Sequence, residues 1–295
     1  MNRFPVAETV RFAYTFTFGQ IGTIIGLIWI PAVINAVGQF AVNRIYGPDE
    51  LAALSQGSHL PASFGLVLLY SIASLLVASI YIVAVTRQAL GLRQGPALAH
   101  FALGTEEFRV FGGFLGLYLL SFLFSLGVTL VVVLVSQIVA GAAPNVPGLQ
   151  AVPLVLALAG ICAVVYALIR LSFLMVPSAL VEGGFGIARS WQLTQGNFWN
   201  IFLVGLLTIL PLAIFLVIVE AAIYGPEYFS SVAAMMRDQA HKATYMAEQV
   251  RITEAKLPLL VGLSFVITPI TCGLVFAPAA FAYRALTGKE PADAQ

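Results

Sequence analysis

Six long apolar runs, separated by shorter polar segments, make up most of the chain. A helix needs roughly 20 apolar residues to cross the hydrocarbon core of a bilayer, and each run has about that length. Runs such as "LYLLSFLFSLGVTLVVVLV" do not alternate as the strands of a membrane barrel do. Because backbone groups in lipid must be satisfied within their own segment, we predict an all-α bundle of six transmembrane helices. The runs lie near 19–42, 62–86, 110–140, 153–176, 200–223 and 258–283.

The composition agrees with a polytopic membrane protein and restricts its partners. Hydrophobic residues make up 60% of the 295 residues and charged residues 9%, whereas a soluble domain carries about a quarter charged residues. The net charge of +1, without any basic run, argues against a nucleic-acid partner. Cys162 and Cys272 lie in apolar runs without CxxC spacing, as is typical of core residues. We expect no metal, haem or other cofactor.

The N-terminal segment does not resemble a cleavable signal peptide. Arg3, Glu8 and Arg11 interrupt it, and no small-residue cleavage site follows a short apolar core. We therefore expect the first apolar run to remain in the mature protein as a membrane span.

The distribution of Lys and Arg predicts the orientation, because short cytoplasmic loops are rich in these residues. On one side, segment 43–61 holds Arg44 alone and segment 141–152 holds no basic residue. The long 224–257 loop holds four basic and four acidic residues, and long loops weigh less in this rule. We therefore predict that both termini are cytoplasmic. The residues on the cytoplasmic side are Arg3, Arg11, Arg87, Arg93, Arg109, Arg170, Arg189, Arg284 and Lys289.

The chain also shows signs of a threefold internal repeat. Phe18, Phe108 and Phe198 are spaced 90 residues apart, and each follows a short semi-polar segment just before a span. Pro31 and Pro211 occupy the same place in spans one and five, 180 residues apart. We predict three units, each an interfacial amphipathic helix plus a helical hairpin; the alternative is chance similarity among apolar segments. The units cover about 1–91, 92–182 and 183–288.

The segment before the fifth span, "ARSWQLTQGNFWN" (188–200), is interpreted as the elbow of the third unit. Its apolar positions have helical spacing, so we expect a helix in the headgroup plane that Gly196 and Asn197 end. Its aromatic residues suit the depth of the interfacial belt. The residues expected to face lipid are Ile187, Trp191, Thr194 and Phe198, and those expected to face water are Arg189, Gln192 and Gln195.

Residues 170–211 resemble the signature region of a bacterial six-helix membrane family. Its members include the membrane module of glycerophosphoryl diester phosphodiesterases and stand-alone proteins of unassigned function. The resemblance is carried by Arg170, Pro177, the pair Gly183-Gly184, and Ala-x-Ser-Trp-x-Leu-Thr-x-Gly-Asn-Phe over 188–198. It implies a six-span architecture in the bacterial cytoplasmic (inner) membrane. In the phosphodiesterases a separate soluble barrel does the chemistry; we expect no such domain here, so the resemblance implies no active site.

Ionisable and aromatic residues near the ends of spans are candidates for lipid-headgroup binding. Arg170, Arg189, Trp191 and Trp199 form this candidate set. Arg170 lies about 17 residues into the fourth span, and the alternative is that it extends to the cytoplasmic interface. Glu220 lies 20 residues beyond Asn200, or about 30 Å, so we interpret it as an ordinary interfacial acid at the outer boundary.

The segment 226–253 predicts an extracytoplasmic amphipathic helix between spans five and six. Pro226 and Glu227 suit the first turn of a helix, and apolar residues then recur every three or four positions. This stripe either packs onto the bundle and the membrane surface or docks another subunit. Its members are Phe229, Val232, Met236, Ala240, Ala243, Met246 and Val250.

These patterns favour a non-catalytic scaffold or accessory subunit. Its partners would be membrane lipids and, through the extracytoplasmic helix, another membrane protein complex. A small transporter or lipid-handling protein is the alternative, and it predicts a polar cavity at mid-membrane depth. A membrane-embedded enzyme is a second alternative, but no catalytic constellation favours it, so we predict that the protein is not an enzyme.

Overall fold

The computed structural model describes residues 5–45, 64–93, 99–142, 146, 148–237 and 242–288. Within these ranges 89% of the residues are helical and none lies in a strand. The helices are α1 (Val6–Gly19), α2 (Ile21–Ile45), α3 (Phe64–Ala89), α4 (Thr105–Ala142), α5 (Val152–Ser172), α6 (Met175–Val181), α7 (Ile187–Leu193), α8 (Phe198–Arg237) and α9 (Lys242–Thr287), with a 3-10 turn at Leu149–Ala151.

Six of these helices are long and apolar enough to cross a membrane, which confirms the predicted fold class. They are α2, α3, α4, α5 continued by α6, α8 and α9. The predicted boundaries differ from the observed ones mainly because the helices extend beyond their apolar runs. The fourth span shows this, since α6 adds Met175–Val181 after a short break. The protein is a multi-pass membrane protein.

The core lies at one end of the bundle, which we call the base. Here α1, α6 and α7 pack around one end of each long helix. Ile24 and Val204 are fully buried here, and Tyr283 of α9 is buried in the same cluster. Because α1 crosses α8 and α9, the base is closed by a layer of short helices.

A proline bend in α8 is part of this closure. Pro211 has no N–H, so the carbonyl of Leu207 loses its helical hydrogen bond. The hydroxyl of Tyr14 in α1 donates to that carbonyl at 2.9 Å. An interhelical bond therefore replaces the missing helical one, as a backbone group in a membrane requires.

At the opposite end, which we call the open end, fewer side chains are buried. In the most apolar 18-residue windows of α4 and α5 no residue is buried. Leu134 and Ile138 of α4 are among the most exposed side chains there. The bundle is therefore tightly packed at the base and loosely packed at the open end.

In the first and third predicted units, the described residues hold a short helix before the first span of the unit. Helix α1 precedes α2, and α7 precedes α8. In the second unit residues 99–104 are not helical and α4 begins at Thr105, so the described part of that unit holds no separate interfacial helix. The threefold repeat stays a prediction.

The segment after the fifth span bends at Gly225, whose φ of 76° and ψ of 176° are not helical. Residues 226–237 form a helical extension beyond this bend, and 242–253 form the first turns of α9, continuous with the sixth span. The predicted helix start at Pro226 agrees with the bend. Residues 238–241 lie outside the described ranges.

Candidate functional site

Among the described residues, three regions combine polar side chains with enclosed space or buried charge: an arginine clamp at the base, a small cavity beside α3, and a larger cavity at the open end. The clamp begins with a glycine loop between α6 and α7. Gly183, Gly184 and Gly186 all have positive φ, between 70° and 81°, a conformation that side chains with a Cβ avoid. A Cβ on Gly186 would also overlap the carbonyl oxygen of Met175. Gly186 is therefore required both because its φ is positive and because there is no space for a Cβ.

Arg170, in the last turn of α5, is 6% exposed and bound by α5 and α7. Its Nη2 donates to the carbonyl of Trp191 at 2.8 Å, its Nη1 to the hydroxyl of Tyr166 at 3.0 Å, and its Nε to Oγ1 of Thr194 at 3.3 Å. Its guanidinium carbon lies 3.8 Å from the centre of the Trp191 ring. No carboxylate lies within 4.0 Å of it among the described residues, so hydrogen bonds and the aromatic face stabilise the buried charge.

Ser190 fills the break between α5 and α6. In a continuous helix the N–H of Leu174 would donate to the carbonyl of Arg170. Here the hydroxyl of Ser190 lies between them: it donates to Arg170 at 2.8 Å and accepts from Leu174 at 3.1 Å. A hydroxyl inserted into the hydrogen-bond ladder is a known cause of helix kinks. The kink therefore leaves neither backbone group unpaired.

This geometry corrects one expectation about the elbow. Thr194 is fully buried against Arg170, so the expectation that it faces lipid is wrong. The guanidinium of Arg170 is itself buried among side chains of the protein. Helical spacing placed Thr194 on an outward face, but the contact of α7 with α5 makes that face an internal one.

The other headgroup candidates lie at the same end of the bundle. Arg189 pairs with Glu182 at 2.8 Å, and Glu182 also accepts from the Tyr283 hydroxyl at 2.7 Å. Trp191 is 39% exposed on the side of its ring away from the protein, and Trp199 is 74% exposed. Lipid-headgroup binding by the candidate set stays a prediction, now centred on the two tryptophans and Arg189.

A small cavity of about 240 Å³ lies between α3 and the start of α4. Nη1 of Arg93 lies 3.1 Å from Nδ1 of His100; a guanidinium only donates, so Nδ1 accepts and the ring proton is on Nε2. Burial and Arg93, with a smaller effect of Arg87, lower the pKa of His100, while Glu107 opposes them. This arrangement favours neutral His100.

The larger cavity lies at the open end between α2, α3, α8 and α9 and has a volume of about 660 Å³. An α-helix rises about 1.5 Å per residue. Measured along the helix axes, the lining residue Tyr81 is therefore about 12 Å from the base end of α3, and the lining residue Gln39 is about 27 Å from the base end of α2. The cavity therefore reaches from the open end to mid-depth. Its polar lining residues are Gln39, Tyr81, Glu220, Tyr224, Thr253, Ser264, Thr268 and Thr271.

Two helices present most of this lining. Leu216, Glu220 and Tyr224 are spaced four apart and share one face of α8. On α9 the lining hydroxyls follow helical spacing, and Cys272 and Phe276 contribute apolar contacts towards the base. Sequence analysis placed Glu220 at the outer boundary but missed the site. The available signal was the series Thr253, Ser264, Thr268 and Thr271, which lies on one face of an otherwise apolar span.

A second cavity, of about 540 Å³, opens between α4, α5, α8 and α9. Its lining is almost entirely apolar and includes Phe114, Phe202 and Leu206. Of these two cavities beside α8 and α9, the one with the polar lining is therefore the cavity between α2, α3, α8 and α9.

The predicted docking stripe is only partly described. Phe229 is 48% exposed and Val232 is half-buried. Ala240 and the side chains of Met236, Ala243, Met246 and Val250 lie outside the described residues. Docking of another subunit on this stripe stays a prediction.

Comparison of the chain with protein-family models, with curated proteins and with solved structures found no match. The resemblance of residues 170–211 to the six-helix membrane family therefore stays a prediction. Within the chain itself, the residues that carry it have a structural role, because Ser190, Trp191 and Thr194 are the ones that hold Arg170 and the kink after α5.

Proposed function

We propose that this protein binds a small amphiphilic molecule or lipid in the open-end cavity and handles or transports it without catalysing a reaction. The observation that carries the proposal is the cavity itself, about 660 Å³, whose polar lining extends from Glu220 and Tyr224 at the open end to Tyr81 at mid-depth. A polar cavity at mid-membrane depth is the feature that distinguishes transport or lipid handling from a scaffold function.

The cavity is lined by hydroxyls and one carboxylate on one side and by aliphatic and aromatic groups on the other. Ligand sites in proteins commonly combine mostly apolar walls with a few polar groups that fix orientation. Such a lining suits a molecule with one polar end and one apolar end. We place the protein in the bacterial inner membrane with both termini in the cytoplasm, so the open end faces the extracytoplasmic side.

The proposal is tested by filling the cavity. Thr268→Phe places a ring in the lining of α9, and Val266→Phe places the same ring on the lipid-facing side of that helix, where Val266 is 64% exposed. The proteins are purified in a mild detergent, incubated with membrane lipid extract, and analysed by native mass spectrometry.

We expect a bound small molecule on the wild type and on Val266→Phe, and its loss from Thr268→Phe. Ser264→Phe, at another lining position of the same helix, serves as a second blocking variant if Thr268→Phe does not fold. A wild type without any retained molecule, or retention in a folded blocking variant, contradicts the proposal.

A further inference from the structure

The charge of the open-end cavity indicates which class of molecule it binds. Glu220 is a carboxylate in its lining, and the described lining residues include no Lys, Arg or His. Glu220 has no ion-pair partner within 4.0 Å among the described residues. Among the described lining residues, the carboxyl group of Glu220 therefore has no basic counterpart.

The position of Glu220 makes this carboxyl group available to a ligand. Glu220 lies about 33 Å along α8 from Phe198, near the open end of the cavity. The walls below it are largely apolar, and low-dielectric walls focus the field of a charge in a cleft. An anionic headgroup at this level would be repelled, whereas a cationic one would be attracted.

Aromatic rings in the same lining favour the same charge. Tyr224 lies one turn beyond Glu220 on the same face of α8, and Tyr81 and Phe276 lie deeper in the cavity. A carboxylate together with aromatic faces is a common way to bind an organic ammonium group, because the ring faces attract cations.

We propose that the ligand is an amphiphilic organic cation, whose positive group binds between Glu220 and Tyr224 and whose apolar part extends towards Tyr81 and Phe276. This inference rests on the proposed function, since it assumes that the cavity holds a ligand. It adds the sign of the charge and the direction in which the molecule lies.

The test compares two probes of similar shape and opposite charge, tetraphenylphosphonium and tetraphenylborate. Binding is measured by equilibrium dialysis on the full-length protein in nanodiscs, and binding to empty nanodiscs is subtracted. Glu220→Gln removes the proposed partner of the cation. Glu227→Gln makes the same charge change three residues beyond Tyr224, outside the cavity lining.

We expect the wild type to bind the cation and not the anion, and Glu220→Gln to bind the cation about tenfold more weakly. Glu227→Gln should bind it as the wild type does. Equal binding of both probes, or equal affinity of Glu220→Gln and the wild type, overturns the cation assignment.

The blocking variants Thr268→Phe and Ser264→Phe separate this outcome from failure of the proposed function. If probe binding is lost in the blocking variants but does not depend on Glu220, the cavity is a ligand site of another charge class. If cation binding persists in folded blocking variants, the cavity is not the site, and both the inference and the proposed function fail.

Discussion

The base and the open end of the bundle are built from the same six spans but differ in how their polar groups are used. At the base, polar groups are buried and paired: Arg170 has three hydrogen bonds and an aromatic face, and Ser190 joins two broken helix ends. At the open end, polar side chains line a cavity and Glu220 has no ion-pair partner among the described residues. Polar groups thus join separate helices at one end, whereas at the other they line a cavity, and the hydroxyls of Ser264 and Thr268 donate to carbonyls of their own helix.

The two ends also differ in packing, because more side chains are buried at the base than at the open end. Short helices and a glycine loop fill the base, whereas α4 and α5 extend past it with exposed side chains. Apolar contact with lipid replaces apolar contact with protein at almost no cost in a bilayer, so the open end needs no core of its own. We therefore expect stability to be concentrated at the base.

The largest expected loss of stability comes from Gly186→Ala. The new methyl group would overlap the backbone of Met175 in a residue with a φ of 72°, so we expect a cost above about 4 kcal/mol or failure to fold. Gly184→Ala is the matched control, because Gly184 has a φ of 70° but open space around it, and should cost about 1 kcal/mol. Yield and unfolding in denaturing detergent measure both; equal losses would show that the base is not closely packed at this loop.

Arg170→Met should destabilise the protein by about 4 kcal/mol. It removes three hydrogen bonds and the contact with the Trp191 ring, at roughly 1 kcal/mol each. Arg170→Lys keeps the charge but not the planar donor fork, and should recover only part of the loss. The same unfolding measurement applies. Full recovery with lysine would mean that charge, and not the hydrogen-bond geometry, holds α7 on α5.

A pair of isoleucines compares the two ends directly. Ile24 is fully buried at the base and Ile138 is 65% exposed near the open end of α4. Ile24→Ala leaves a cavity and should cost about 2 kcal/mol, whereas Ile138→Ala should cost less than about 0.5 kcal/mol. Similar costs at both positions would contradict the concentration of stability at the base.

The smallest effect expected is a pH dependence from His100. Because its pKa is lowered in the folded protein, the unfolded chain takes up the proton first as pH falls below its ordinary value of about 6.5. The stabilisation from neutral His100 is therefore present above that pH and is lost as pH falls through the folded pKa. Thermal unfolding between pH 8 and pH 5 should show this loss in the wild type. A His100→Gln variant with the same pH profile would rule His100 out as its source.

The spans were predictable from the sequence because hydrophobic length is a local property. The same holds for the elbow before the fifth span, since Gly196 and helical spacing are local signals. The contacts of Arg170 with Trp191 and Thr194 were not predictable, because they depend on α7 folding back onto α5, 21 to 24 residues away. The cavity depends on four helices that meet only in the bundle, so Glu220 alone gave no sign of it.

The bond between Tyr14 and Leu207 also sets an order of events during synthesis. Its two residues are 193 positions apart, which a ribosome covers in roughly 10 to 40 s at about 5 to 20 residues per second. Until the fifth span is inserted, α1 has no partner for that hydroxyl. The first helix of the chain to be made is thus among the last to reach its final contacts, and the base closes only when the fifth and sixth spans, which both pack against α1, have been inserted.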